Sequence, residues 1–354
     1  MTKKTIMFTG GGSAGHVTPN MAIINELDNS KWDINYIGSK KGIEKELIEK
    51  TTIPYFGISS GKLRRYIDFE NIKDIFRVLK GCFEARKILK QLKPQLVFSK
   101  GGFVSVPVIV AARTLRIPIF IHESDMTPGL ANKISQRFTT LIFTSFEETK
   151  NFFPREKTMV IGSPIRKEIF NGSPQNGRIF LGFHERLPVL TIMGGSLGAK
   201  KINEVVRESL KELTSKYQIV HLCGKGNLDK NLMGVSGYKQ YEYVNDELPD
   251  ILAATNIVIT RGGSNAIFEF LALKIPMLII PLSKKQSRGD QILNAKSFEE
   301  KGYSLTLEEE HLNRKSLLSF LNNIELNKES FIMAMKGSVQ GEALKTIIDE
   351  INKF

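Results

Sequence analysis

Short apolar runs without polar alternation recur along this 354-residue chain, and several run straight into glycines. In the first half they are "TIMFT" (5–9), "INYIG" (34–38), "QLVFS" (95–99), "IPIFIH" (117–122) and "TLIFT" (140–144). In the second half they are "VLTIM" (189–193), "QIVHL" (218–222), "NIVIT" (256–260) and "PMLIIP" (276–281). A strand with one wet face alternates polar and apolar residues. These do not, so both faces must be covered, as in a parallel sheet between layers of helix. Amphipathic stretches separate the runs, and the βαβ rhythm predicts an α/β fold of doubly wound, Rossmann-like units. The rhythm restarts after "VIGSPIRKEIFNGSPQNGR" (160–178), rich in Gly, Pro, Ser and Asn. Two domains follow, residues 1–163 and 164–354, with loops facing a cleft and a last helix, about 341–354, that can pack back on the first domain. The length suits two domains better than one.

Four strand ends carry glycine turns: "TGGGSAGH" (9–16), "SKGGFVS" (99–105), "MGGSLGA" (193–199) and "TRGGSNA" (260–266). Glycine lets backbone approach a ligand closely, and a helix N-terminus behind it offers N–H groups and partial positive charge. Such turns suit phosphates, although tight strand–helix packing also uses glycine. Gly10, Gly12 and Gly15 satisfy the G-x-G-x-x-G spacing of dinucleotide-binding enzymes. That fingerprint wants a carboxylate ending the second strand to hold the ribose. Here the strand ends "YIGSKKG" (36–42), where Lys40 and Lys41 would suit only a phosphorylated ribose.

The formal net charge is +13, so anionic partners are expected: phosphorylated substrates, an anionic membrane surface or nucleic acid. No zinc-finger spacing, RNA-binding signature or dense basic tail supports the last, and no nucleic-acid partner is expected. The two cysteines, Cys82 and Cys223, make neither a disulfide framework nor a metal cluster and fit a reducing cytoplasm. The apolar run after Lys3 and Lys4 is broken by glycines, unlike a signal peptide, and no run approaches the roughly 20 residues of a membrane span.

"GGSAGHVTP" (11–19), "GGFVSVP" (101–107), "HESDMTPGLANK" (122–133), "GSPIR" (162–166), "GGSLGA" (194–199), "RGGSNAIFE" (261–269) and "SRGDQILNA" (287–295) together resemble the MurG family of peptidoglycan synthesis across both halves of the chain. The resemblance implies a GT-B glycosyltransferase fold and an inverting, metal-independent transfer without cofactor. N-acetylglucosamine would pass from UDP-N-acetylglucosamine to the C4 hydroxyl of N-acetylmuramic acid in lipid I, a polyprenyl-diphosphate acceptor. It also implies a peripheral protein at the cytoplasmic face of the membrane, in a complex of division or cell-wall synthesis. Donor-binding positions carried over are Ser13, Ala14, Gly15, Arg166, Ser196, Val244, Ser264, Asn265, Ala266, Glu269, Asp290 and Gln291. The acceptor diphosphate is assigned to Gly11, Gly12, Gly101 and Gly102.

The chemistry of these residue types fits. Departure of a nucleoside diphosphate builds negative charge that amides, hydroxyls and cations can stabilise, here the "GGSLGA" turn with Ser196, and Arg166. Glu269 follows Ser264 and Asn265, candidate helix caps, by about one turn, and its carboxylate can accept from two ribose hydroxyls. Gln291 can both donate to and accept from a sugar, whereas Asp290, where many relatives have glutamine, only accepts when ionised. Asp125 likewise replaces a frequent asparagine, and Ala14 a frequent glycine. His16 is either the base that takes the acceptor proton or a residue that orients the loop or binds the diphosphate, with Glu123 and Asp125 as rival bases. His122 can be structural.

The stretch "DFENIKDIFRVLKGCFEARKILKQLK" (68–93) predicts an amphipathic helix with two adjacent apolar stripes. One is Ile75, Val78, Cys82, Ala85 and Leu89; the other is Ile72, Phe76, Leu79 and Phe83. Lys62, Arg64, Arg65, Lys73, Arg77 and Lys80 flank them. Either both stripes are core, or the second meets lipid with Arg77 and Lys80 on anionic headgroups. Two rival functions remain at this stage: another GT-B enzyme, such as a diacylglycerol glycosyltransferase or a UDP-N-acetylglucosamine 2-epimerase, or a non-catalytic sugar-nucleotide-binding scaffold of the division machinery.

Overall fold

The computed structural model describes residues 3–61, 69–184, 186–195, 198–284, 286–338 and 342–354, with backbone alone for 69–73. Ser196, Lys62, Arg64 and Arg65, and the side chains of Ile72 and Lys73, therefore lie outside the described residues. The chain divides into two units, 1–166 with 341–354, and 167–340. The division falls after Arg166, three positions beyond the boundary expected at 163, which leaves "GSPIR" with the first unit.

Unit one has a seven-stranded sheet of β1 (Lys4–Thr9), β2 (Trp32–Ser39), β3 (Tyr55–Ile58), β4 (Leu96–Ser99), β5 (Ile119–Glu123), β6 (Leu141–Thr144) and β7 (Thr158–Val160), in the order 3-2-1-4-5-6-7. All neighbours pair in parallel. The unbroken apolar runs are explained by two cores. Ile6 and Phe8 of β1, Leu96 and Phe98 of β4, and Phe120 of β5 enter one cluster. Met7, Val97, Ile119 and Ile121, the alternate residues, enter the other. Successive side chains of a strand point to opposite faces, so a strand covered on both sides is apolar throughout. The C-terminal helix Ala343–Asn352 returns to unit one. Its Leu344, Ile347 and Ile351 join the first cluster, and Trp32 Nε1 donates to Asn352 Oδ1 at 3.0 Å.

Unit two repeats the plan with β8 (Val189–Met193), β9 (Gln218–Leu222), β10 (Tyr238–Tyr241), β11 (Thr255–Thr260), β12 (Met277–Ile279) and β13 (Ser304–Thr306), ordered 10-9-8-11-12-13 and parallel throughout. Every strand expected from the sequence is present. Four others, β3, β7, β10 and β13, are the edges of the two sheets.

The helix Phe69–Leu92 buries Ala85 and Leu89 and exposes Phe76, Leu79 and Phe83 at 67%, 51% and 74%. Ile75, expected on the inner stripe, is also exposed, and Asp74 is buried in its stead. Arg77 Nη1 donates to Asp74 Oδ1 at 2.9 Å, which gives the buried carboxylate a partner.

Candidate functional site

The strand order reverses between β1 and β4 in unit one and between β8 and β11 in unit two. In open parallel sheets ligands bind outside the carboxyl ends of the strands at such reversals. The four glycine turns follow these four strands.

In unit one the two turns are tied together. Gly11 N donates to Gly101 O at 3.3 Å, and Lys100 N donates to Thr9 O at 3.0 Å. Gly102 sits at φ +83°, and any Cβ there would clash with the Gly11 carbonyl. Beneath the turns lies Glu44, fully buried. Its Oε2 accepts from Gly12 N at 3.1 Å, and its Oε1 accepts from Ser39 N at 3.0 Å and from Ser39 Oγ. Gly101 N donates to Ser99 Oγ at 3.1 Å. The amides of Gly11, Gly12 and Gly101, expected to receive the acceptor diphosphate, are thus committed to the chain's own oxygens. They shape the turn.

His16 stands in the first turn of the helix Ala14–Glu26, behind exposed Ser13, Ala14 and Gly15. Its Nδ1 lies 2.9 Å from Gly11 O, with Ser13 Oγ at 3.1 Å from the same nitrogen. A carbonyl only accepts, so Nδ1 carries the proton and Nε2 is the nitrogen with the lone pair. That is the tautomer a base requires.

Glu123, the first rival, is a buried brace. Asp125 N and Gly129 N donate to its two oxygens at 3.1 and 3.0 Å, and Asn132 Nδ2 donates at 2.9 Å. Burial and the Asp125 charge raise its pKa. The carboxylate folds the 124–132 loop and is shielded from an incoming hydroxyl. Asp125 is only half-buried; its carbonyl, with that of Met126, accepts from Thr149 Oγ1.

Next to Glu123, Lys100 is 2% exposed and its ammonium donates to His122 Nδ1 and Ser124 Oγ. His122 Nε2 donates to Gly162 O at 3.1 Å. Burial and the Lys100 charge hold the His122 pKa well below its usual range, so His122 is a neutral, structural residue. Burial pulls the Lys100 pKa down to about 7 against the opposing pull of Glu123 and Asp125. A free lysine keeps its proton to about pH 10.4. Between these values the unfolded chain binds more protons than the folded one, so raising the pH stabilises the fold. Urea midpoints of wild type and Lys100→Met should therefore move apart in favour of wild type between about pH 7 and 9. A constant difference would mean that Lys100 stays charged throughout.

In unit two the helix Ser264–Ala272 starts directly after the β11 turn. Its N-cap is Gly263, and no side chain caps it. Ser264 is the first helical residue, so Ser264 and Asn265 are not caps and the helix's first amides stay clear of capping side chains. Ile267, Phe268, Phe270 and Leu271 bury the inner face, leaving Asn265, Ala266 and Glu269 half-buried. Asn265 and Glu269, four apart, share a face. Gln291 Oε1 accepts from Leu282 N at 3.1 Å, which fixes the orientation of the side-chain amide. Asp290 Oδ2 pairs with Arg288 Nη2 at 2.9 Å. Val244 packs against a small apolar cluster around Leu222 and Ile251. Arg166, half-buried, ends unit one. Among the described residues no group of three or more His, Cys, Asp or Glu side chains is placed to hold a metal ion.

Residues 6–144 match the glycosyltransferase family 28 N-terminal domain, and residues 189–351 match its C-terminal domain. The chain belongs to glycosyltransferase family 28. It is similar to the UDP-N-acetylglucosamine--N-acetylmuramyl-(pentapeptide) pyrophosphoryl-undecaprenol N-acetylglucosamine transferase 2 of Bacillus cereus (strain ATCC 14579), with 59% identity over 350 residues, 99% of each chain. Among solved structures, Acinetobacter baumannii MurG matches the whole of both chains with a TM-score of 0.78 at 24% identity. A UDP-GlcNAc 2-epimerase from Neisseria meningitidis bound to UDP-GlcNAc matches with a TM-score of 0.69 at 14% identity, again over both whole chains. The GT-B fold is therefore common to transferase and epimerase. Only the sequence likeness separates them, and it favours the transferase.

Three residues of this family member escaped the sequence reading. Lys100 had a signal, a lysine placed directly before a glycine pair at a strand end. Glu44 had none, being one of several charges in "KKGIEKELIEK" (40–50). Arg261 lies inside a quoted turn, yet its guanidinium turns away from the turn. It is buried against Glu309 and donates to Ile280 O at 3.1 Å and Pro281 O at 3.4 Å.

Proposed function

We propose that the protein transfers N-acetylglucosamine from UDP-N-acetylglucosamine to the C4 hydroxyl of N-acetylmuramic acid in lipid I, with inversion. The observation that carries this reading is the full-length likeness to the Bacillus cereus transferase. In the step, His16 Nε2 takes the hydroxyl proton as the O4–C1 bond forms. The bond from C1 to the phosphate oxygen breaks, and its electron pair leaves with UDP. Unit one serves the acceptor and unit two most of the donor. The first amides of the helix Ser264–Ala272, with its Asn265 and Ala266, would face the departing diphosphate, where developing charge is best stabilised by fixed dipoles. Glu269 would hold the ribose. The assay is transfer of labelled N-acetylglucosamine to a soluble lipid I analogue with chelator present. Donor turnover that yields N-acetylmannosamine and no product on the acceptor would instead support an epimerase.

The acceptor's lipid tail gives the exposed stripe of the helix Phe69–Leu92 a role. Among the described residues no helix is long and apolar enough to cross a membrane. Phe76, Leu79 and Phe83, spaced three and four apart, instead form a band for insertion into the surface of an anionic bilayer at the cytoplasmic face, flanked by exposed Arg77 and Lys80. Phe76→Ser with Phe83→Ser should reduce co-sedimentation with anionic vesicles while turnover of a short-chain acceptor in solution stays near wild type. Both rings are already in water, so the melting temperature should hold. Unchanged vesicle binding would remove the band from the membrane contact.

A further inference from the structure

The two glycine turns of unit one, to which the family resemblance assigns the acceptor's diphosphate, are backed by carboxylates. Glu44 accepts from Gly12 N, and its carboxyl group fills the space that a Cβ on Gly11 would need. Glu123, also buried, accepts from Asn132 Nδ2, and the Asn132 amide lies 3.3 Å from where a Cβ on Gly101 would stand. Asp125 follows two residues on. Gly11, Gly12 and Gly101 have given their amides to the chain's own oxygens. An anion arriving at these turns meets like charge behind them, and a cation must offset it.

We propose that the buried ammonium of Lys100 is that counter-charge, and that it sets the affinity of the glycine turns for the acceptor's diphosphate. The inference rests on the function proposed above and adds to it a positioning residue, one that acts through the turns without touching the ligand.

Three observations carry it. The first is place. Lys100 immediately precedes Gly101 and Gly102, and its own N–H donates to Thr9 O, where the other turn begins. Its stem also supports that turn, with Cβ 3.3 Å from where a Cβ on Gly10 would stand. One lysine thus serves both turns. The second is the state of the charge. Both hydrogen-bond acceptors of Nζ, His122 Nδ1 and Ser124 Oγ, are neutral groups. Among the described residues no carboxylate is in contact with the ammonium; Glu123 and Asp125 act on it only over a distance. A charge that no ion pair cancels, in a buried site that solvent screens little, keeps a field that reaches the turns. The third is rigidity. His122 Nε2 donates to Gly162 O at 3.1 Å, so the imidazole is fixed at both nitrogens and holds the ammonium where it is. A charge fixed in advance needs no reorganisation when the anion arrives.

The test is Lys100→Gln, assayed at about pH 6, below the value of about 7 to which burial pulls the lysine. Glutamine keeps a donor for the imidazole or the hydroxyl but carries no charge. Burying an amide costs less than burying a charge, so the variant should fold, as circular dichroism will report. Should it not fold, Lys100→Met, with an unbranched apolar chain, carries the same test. With a short-chain prenyl-diphosphoryl acceptor in solution, the acceptor KM should rise about tenfold or more while the donor KM stays near wild type. With an acceptor whose diphosphate is replaced by a neutral linker, wild type and variant should perform alike. A lysine that only packs the loops would harm both acceptors equally, and that result overturns the proposal. So does an unchanged KM for the diphosphate acceptor. If wild type transfers to no such acceptor, the proposed function fails by itself. The counter-charge is then judged by calorimetry with inorganic pyrophosphate, with the donor site filled by UDP. Binding should be about tenfold weaker in the variant, and equal binding overturns the proposal.

Discussion

His16→Asn should lower kcat by about 10²–10⁴-fold, the usual value of general-base catalysis, while the dissociation constant for UDP stays near wild type. Asparagine is the informative replacement because of where the imidazole is held. His16 Nδ1 donates to the Gly11 carbonyl at 2.9 Å. An asparagine NH2 can make that same bond and so keep the turn in shape. It has no lone pair that takes a proton near neutral pH. A purely structural His16 would therefore survive the change to Asn and fail only on the change to Ala. A base would fail on both. If His16→Asn retains most of the turnover, the base lies elsewhere and Asp125 becomes the next candidate. Glu123 does not, because three donors already face its carboxylate from the loop it braces.

Central strands could be read from the sequence because burial on both faces forces their composition. The four strands that escaped are "YFGI", "TMV", "YKQY" and "SLT", the two edges of each sheet. An edge strand has one hydrogen-bonded neighbour and less cover, so polar residues such as Lys239 and Gln240 fit there and the apolar run that marks a strand is missing. The glycine turns were legible as turns, but not as what they do. G-G pairs look like open amides in a sequence. Only coordinates place Glu44, more than 30 residues further on, against Gly12 N. The same blindness applies to helix faces. Ile75 fits the inner stripe by periodicity, yet Asp74, partnered by Arg77, is the residue that turns inward.

Glu269→Ala should weaken UDP binding by tenfold or more, from a loss of about 1.5–3 kcal/mol for charge-assisted hydrogen bonds. The helix that carries Glu269 is anchored by Phe268 and Phe270 on either side of it, both buried, and alanine is a good helix former, so the variant should fold. A fall in affinity alone would not distinguish a ribose contact from a general electrostatic effect on the donor. The ribose reading makes a sharper demand. A ligand without its 2′-hydroxyl should bind wild type less well than UDP does, whereas Glu269→Ala should scarcely tell the two ligands apart. Residue and hydroxyl then show coupling, as two groups in direct contact must. Glu269→Gln should fall between, since its one amide oxygen still accepts but carries no charge. If wild type and Glu269→Ala discriminate equally against the deoxy ligand, Glu269 does not hold the ribose, and the sugar must be read by other side chains of unit two.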